Sequence, residues 1–170
     1  MPDIIFNPYS TNPYGQFHCD TASLCPVSKA LLPVIRHFLN ALLKPKTMGW
    51  RFAQTSAVGT WGEGRGLAIA YCTQQFLSAV LMCRPVPLSF NDPLNLGLRE
   101  EMKGDEAAML SLLSAMRADE TAQARACVLY LTQGQMRAPV VQSALILAKR
   151  LEFDTSGAGP RKKPVLRVVE

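Results

Sequence analysis

Residues 66–83, GLAIAYCTQQFLSAVLMC, decide how this chain folds. At about 100° per residue the stretch is apolar nearly all the way round, with Thr73, Gln74, Gln75 and Ser78 as its only polar side chains. A surface helix carries charge on one face, whereas none falls here between Arg65 and Arg84. Its 18 residues approach the length a bilayer requires. Four polar side chains in the middle of the run, and no second segment like it, favour a helix inside a protein core over a membrane span. The expected fold is mainly α: one domain of five or six helices around a buried central helix at 66–83, with no membrane partner.

Working outward, 170 residues suit one domain, which buries roughly two-thirds of the surface its unfolded chain exposes. Hydrophobic residues at 48% and charged residues at 18% place the chain far from disordered compositions. No basic segment leads into an apolar run near the start, so no secretory leader is expected. The opening MPDIIFNPYSTNPYGQF is neither Arg-rich nor amphipathic, which argues against a transit peptide. Five cysteines make an odd number without framework spacing. Reduced thiols and a cytoplasmic location fit that usage better than disulfides.

The net charge of +5 is unevenly spread. Residues 1–98 hold seven Lys/Arg against four Asp/Glu, residues 99–155 seven against eight, and residues 156–170 four against one. The tail alone supplies more than half of the excess, so it is the part that invites an acidic partner.

Three regions follow: an extended aromatic and proline arm at 1–26, a helical domain at 27–155, and a flexible basic tail at 156–170. In the arm, Pro2, Pro8, Pro13 and Pro26 break any helical period, while Tyr9, Tyr14 and Phe17 are apolar enough to lie across the helical body or on another subunit. Leu31, Ile35, Phe38, Leu39 and Leu42 predict a first helix over 29–44, with Arg36, His37, Asn40 and Lys44 opposite. Met48, Trp50, Phe52 and Gln54 alternate at period two and suggest a small β-hairpin near 48–60. Gly59, Gly62, Gly64 and Gly66 then predict a turn that lets Trp50 and Trp61 pack together. Beyond the central run, Asp92-Pro93 predicts a short helix to Met102. Helices are expected from Glu106 to Met116, from Asp119 with Ala122, Ala126, Leu129 and Tyr130 inward, and from Pro139 with Val140, Val141, Ala144, Leu145, Ala148 and Leu151 inward. Gln133-Gly134 has C-cap chemistry. TSGAGP at 155–160 reads as a linker.

Little here is catalytic chemistry. The glycine loop precedes a helix, where free amides attract anions; but its order, Gly62-Glu63-Gly64-Arg65-Gly66, matches neither phosphate motif, and Glu63 repels phosphate. His18, Cys19, Cys25 and His37 are the only His/Cys cluster, and they lack paired zinc spacing. Glu100-Glu101, Asp105-Glu106 and Asp119-Glu120 fall where helix starts take ordinary capping charge.

No cofactor is expected, and by elimination the function is a non-enzymatic, adaptor-like protein-interaction or regulatory role, with a protein partner or a homo-oligomer. The candidate partner-binding residues are Tyr9, Tyr14 and Phe17 in the arm and Arg161, Lys162, Lys163, Leu166 and Val168 in the tail, whose alternating side chains suit a sheet edge. Two alternatives stay open. Residues 119–152 with the basic tail form a nucleic-acid-binding regulator, offering Gln142, Ser143, Lys149 and Arg150. The other is a metal- or thiol-dependent protein built on His18, Cys19, Cys25 and His37.

Overall fold

The computed structural model describes residues 21–152. Cys25 caps α1 (Pro26–Leu43), and Pro26 stands at the first helical position, where a missing N–H costs nothing. The helix thus starts three residues before the expected boundary. Pro33 lies in its second turn and removes one backbone bond, but it faces solvent with Lys29, so the orphaned carbonyl stays wet. Leu31, Ile35, Phe38 and Leu39 are buried as expected, and so are Leu32 and Val34. The apolar face is therefore wider than one stripe, and it draws Arg36 and Asn40 inside with it.

The hairpin expected near 48–60 is not there: residues 49–61 form α2 (Gly49–Trp61). Alternation of Met48, Trp50 and Phe52 is misleading, because Trp50 and Phe52 stay half exposed on the outside of a helix and Met48 is the left-handed residue before it. What α2 buries is a seam of small residues, Gly49, Ala53 and Ala57, spaced by four. A Cβ at Gly49 would lie 2.4 Å from the His37 carbonyl of α1. Trp50 and Trp61 stand at opposite ends of the helix, about 16 Å apart along its axis, so they do not pack on each other.

Gly62, at φ 80°, turns the chain into α3 (Glu63–Cys83). The central helix thus begins three residues before the apolar run. A Cβ at Gly66 would stand 2.5 Å from the Ala57 carbonyl, so glycine sets how closely α2 and α3 approach. Ile69, Ala70, Cys72, Thr73, Phe76, Leu77 and Val80 are buried, and the Thr73 hydroxyl donates to the Ile69 carbonyl at 2.8 Å. Neighbours α1, α2 and α6 cover this face. The opposite face is open, with Leu67, Tyr71 and Met82 exposed by 44%, 63% and 88%.

The chain then crosses over through residues 84–103 to α4 (Gly104–Arg117), α5 (Thr121–Leu131) and α6 (Ala138–Glu152). The short helix expected up to Met102 is reduced to a single 3-10 turn at Leu96–Leu98. Asn95 Oδ1 takes the Gly97 amide at 3.1 Å, a local bond that competes with helix. The carbonyls of Leu98, Arg99 and Glu101 accept from Asn91 or Arg36 instead. In α5 the buried residues are Cys127, Val128, Tyr130 and Leu131, while Ala122 is exposed. Asp119 takes φ 58° and the helix starts only at Thr121, which rotates its inner face away from the expected one. Gly134 closes α5 as anticipated, its amide donating to the Leu129 carbonyl at 2.7 Å. In α6, Leu147 is buried and Leu145 is 40% exposed, the reverse of expectation for Leu145.

Among the described residues the chain is therefore mainly helical, with six α-helices and no strand. α1 packs on α2, α3 and α4; α3 packs on α6; α4 packs on α5 and α6. The core they share includes Phe38, Phe76, Ile69, Met109, Leu112, Leu131 and Leu147.

Candidate functional site

Two consecutive acids at the start of α4, Asp105 and Glu106, are where the sequence implies surface capping and the fold does something else. Both are buried. Glu106 Oε1 lies 2.6 Å from Arg36 Nε on α1 and also accepts the Asn91 amide, while Oε2 accepts the Lys103 amide at 2.8 Å. Arg36 spends its remaining donors on the Arg99 and Glu101 carbonyls. Asp105 pairs with Arg84 at 3.1 Å and accepts the Ser89 amide and hydroxyl at 2.6 and 2.9 Å. Arg84 also donates to the Val86 and Leu131 carbonyls. Two ion pairs side by side thus tie both ends of the proline-rich crossover to the helices. Their hydrogen-bonding capacity is consumed within the protein, which makes them a clamp rather than a catalytic pair. Next to Asp105, burial pushes the Tyr130 phenol up, the Asp105 charge adds to the rise, and Arg84 opposes it.

The candidate thiols and histidines are dispersed. His18 and Cys19 lie outside the described residues. Cys25 caps α1 and His37 lies within it, twelve positions further on and about 18 Å along the axis, so they cannot share a metal ion. His37 stacks on Phe52 with ring centroids 5.5 Å apart. Burial holds its pKa below the ordinary value, partly offset by Asp92. Among the described residues no group of three or more His, Cys, Asp or Glu is arranged to hold a metal.

Cys25 is exposed, and its sulfur accepts from the Ser28 amide at 3.5 Å and bonds the Ser28 hydroxyl at 3.2 Å. Partial burial pushes that thiol up, but the Ser28 bonds and the nearby Arg117 guanidinium outweigh it and leave the pKa lowered. Cys127 is fully buried, and burial pushes its thiol up to about 12. At neutral pH an alkylating reagent is therefore expected to modify Cys25 in the native chain and to leave Cys127 untouched until denaturant is added. Peptide mass mapping checks this; Cys127 reacting at the native rate of Cys25 would contradict the burial.

The partner-binding candidates Tyr9, Tyr14, Phe17, Arg161, Lys162, Lys163, Leu166 and Val168 all lie outside the described residues. Of the residues considered for a nucleic-acid reader, Gln142 is exposed, and the Ser143 hydroxyl donates back to the Pro139 and Val140 carbonyls at 2.7 and 3.1 Å. Lys149 and Arg150 are exposed in the last turn of α6.

What sequence reasoning missed is apolar surface. On α3 the row Leu67, Tyr71, Gln75, Ser78, Met82 steps by four, four, three and four residues, so it shares one side of the helix. Leu145 and Ile146 are exposed on α6, the antiparallel neighbour whose end meets the start of α3 through Arg65 and the Arg150 carbonyl at 3.2 Å. Lys149 and Arg150 are exposed in the last turn of α6, the end that Arg65 reaches. Between α4, α5 and α6 lies a second feature, an apolar cleft of about 290 Å³ lined by Met116, Val128, Met136, Val141 and Leu145. α3 is also the one helix among the described residues long and apolar enough to cross a bilayer; 44% of its most apolar window is buried in the protein. The even spread of Leu, Tyr and Met around residues 66–83 fits an open apolar face, since α1, α2 and α6 cover one side of α3 and leave Leu67, Tyr71 and Met82 exposed. Compared with models of protein families, with curated proteins and with solved structures, the chain finds no match.

Proposed function

We propose that this protein is a non-catalytic interaction module that seats an apolar helix of a protein partner against the open face of α3. One observation carries the reading: a helix without a single charge between Arg65 and Arg84 turns Leu67, Tyr71 and Met82 toward solvent. Isolated exposed apolar residues are ordinary, but three of them on one side of the uncharged stretch of a single helix, with only Gln75 and Ser78 between, suit a contact surface. A partner helix with apolar residues at i, i+4 and i+7 matches such a row. Exposed Lys149 and Arg150, at the end of α6 that Arg65 of α3 reaches, favour a partner with acidic residues flanking its apolar stripe, which would steer the encounter.

The test compares the full chain with a Leu67→Glu/Tyr71→Glu variant. Both positions are exposed, so the variant is expected to melt within a few degrees of the parent. A stoichiometric protein partner retained at moderate salt by the parent, and bound at least tenfold more weakly by the variant, supports the reading. Uptake of the parent by anionic vesicles with no protein partner found would make the face a lipid-binding one and overturn it. Nucleic-acid binding that falls steeply with salt and is equal in the two proteins would replace it with the reading built on residues 119–152 and the tail.

A further inference from the structure

We infer that the pocket bounded by α1, α2 and the crossover binds a small organic monocarboxylate, its charge met by Lys29 and Arg99 and its apolar body laid against Leu32, Pro33 and Pro93. The pocket holds about 390 Å³, within the range of small-molecule sites. No residue of α3 lines it, so the inference stands whether or not the α3 row docks a partner. The buried Arg36, which also lines it, gives its donors to Glu106 and to the Arg99 and Glu101 carbonyls. Those bonds fix the crossover against α1, so the wall stands before any ligand arrives and little ordering is lost on binding.

Donors and acceptors are out of balance in this pocket. Its acceptors are engaged. Glu100 Oε2 accepts from the Thr21 hydroxyl at 3.2 Å, and Asn95 Oδ1 takes the Gly97 amide at 3.1 Å. Asp92 Oδ1 takes the Leu94 amide at 2.9 Å, and its Oδ2 lies 3.9 Å from Lys44 Nζ. Its donors are unused: among the described residues the Lys29 ammonium, the Arg99 guanidinium, the Ser56 hydroxyl and the Asn95 side-chain amide give no hydrogen bond. His37 is held by its stack on Phe52, and burial keeps its pKa below the ordinary value, so at neutral pH the uncharged ring offers one more N–H. Unused donors around an apolar wall suit a ligand that only accepts, and a guanidinium with an ammonium matches a carboxylate. Charge decides between anions. Lys29, Arg99 and Lys44 stand against Asp92 and Glu100, an excess of one positive charge, so a monoanion is matched whereas a dianionic phosphate meets repulsion from the two carboxylates.

The test is an NMR titration of the full chain at neutral pH with hydrocinnamate, read at the His37 ring C–H resonances. The chain has two histidines, and His18→Gln tells their signals apart. A saturable shift of His37 is expected below about 10 mM. Hydrocinnamide, which keeps the shape and loses the charge, is expected to bind at least tenfold more weakly. Lys29→Gln/Arg99→Gln is expected to weaken hydrocinnamate at least tenfold and to melt with the parent, since both residues are exposed and the Arg99 carbonyl that Arg36 uses is retained. No saturable shift in the parent overturns the inference, as does hydrocinnamide binding as tightly as the acid, or a folded variant binding as tightly as the parent. Phenylalanine, which is hydrocinnamate with an added ammonium, overturns it in favour of an amino-acid site through Asp92 and Glu100 if it binds more tightly. Inorganic phosphate displacing hydrocinnamate at equal concentration also overturns it, because the site then reads charge alone.

Discussion

Glu106→Ala is expected to destabilise the fold by about 3–5 kcal/mol. Its carboxylate is fully buried and is the shared acceptor for Arg36, the Asn91 amide and the Lys103 amide. Alanine leaves the Arg36 guanidinium buried without its counter-charge, and a buried charge without its partner costs far more than the pair contributes. Two backbone amides lose their acceptor in the same step, and each orphaned donor adds its own desolvation cost. Urea unfolding monitored by circular dichroism reads the loss as a drop in the transition midpoint at an unchanged slope. Converting Arg36→Met together with Glu106→Met is expected to cost less than Glu106→Ala alone, since no charge is then stranded. A loss below about 1 kcal/mol for Glu106→Ala, the range of a surface pair, would mean that the clamp is solvated and the crossover is held by other contacts.

Phe76→Ala is expected to cost about 3–5 kcal/mol, whereas Tyr71→Ser on the same helix is expected to change stability by less than about 0.5 kcal/mol. Phe76 is among the largest fully buried side chains and belongs to the common hydrophobic core. Its removal loses transfer free energy and leaves a cavity that rigid helices refill only in part. Tyr71, five positions earlier, is 63% exposed and has little packing to lose. The contrast is the energetic expression of a helix with one buried and one open side. Equal costs at the two positions would mean that the open face is covered.

The helical class and most of the inner faces are legible in the sequence because large apolar residues recur at the helical period in α1, α4 and α6. α2 is not, since its inner seam is Gly49, Ala53 and Ala57: small residues that let helices approach closely and vanish from a count of large ones. The exposed Trp50 and Phe52 then supplied a false period-two pattern. The clamp was hidden for another reason. Arg36 and Glu106 are 70 residues apart and Arg84 and Asp105 are 21 apart, so no local window contains both partners. A trace of it was present all the same: Leu31, Leu32, Val34, Ile35, Phe38 and Leu39 cover too much of α1 for Arg36 and Asn40 to escape burial. In α3, absence of charge suggests enclosure on all sides, yet an uncharged face turned outward has the same composition.

The open side of α3 is tested most directly by peroxide footprinting of the purified full chain, with methionine oxidation followed by peptide mass. Met82, 88% exposed, is expected to oxidise rapidly, while Met109, fully buried in α4, stays protected until the chain unfolds. Met82 as protected as Met109 would show that the row is already covered in the free protein, and the docking face proposed for α3 would then be lost.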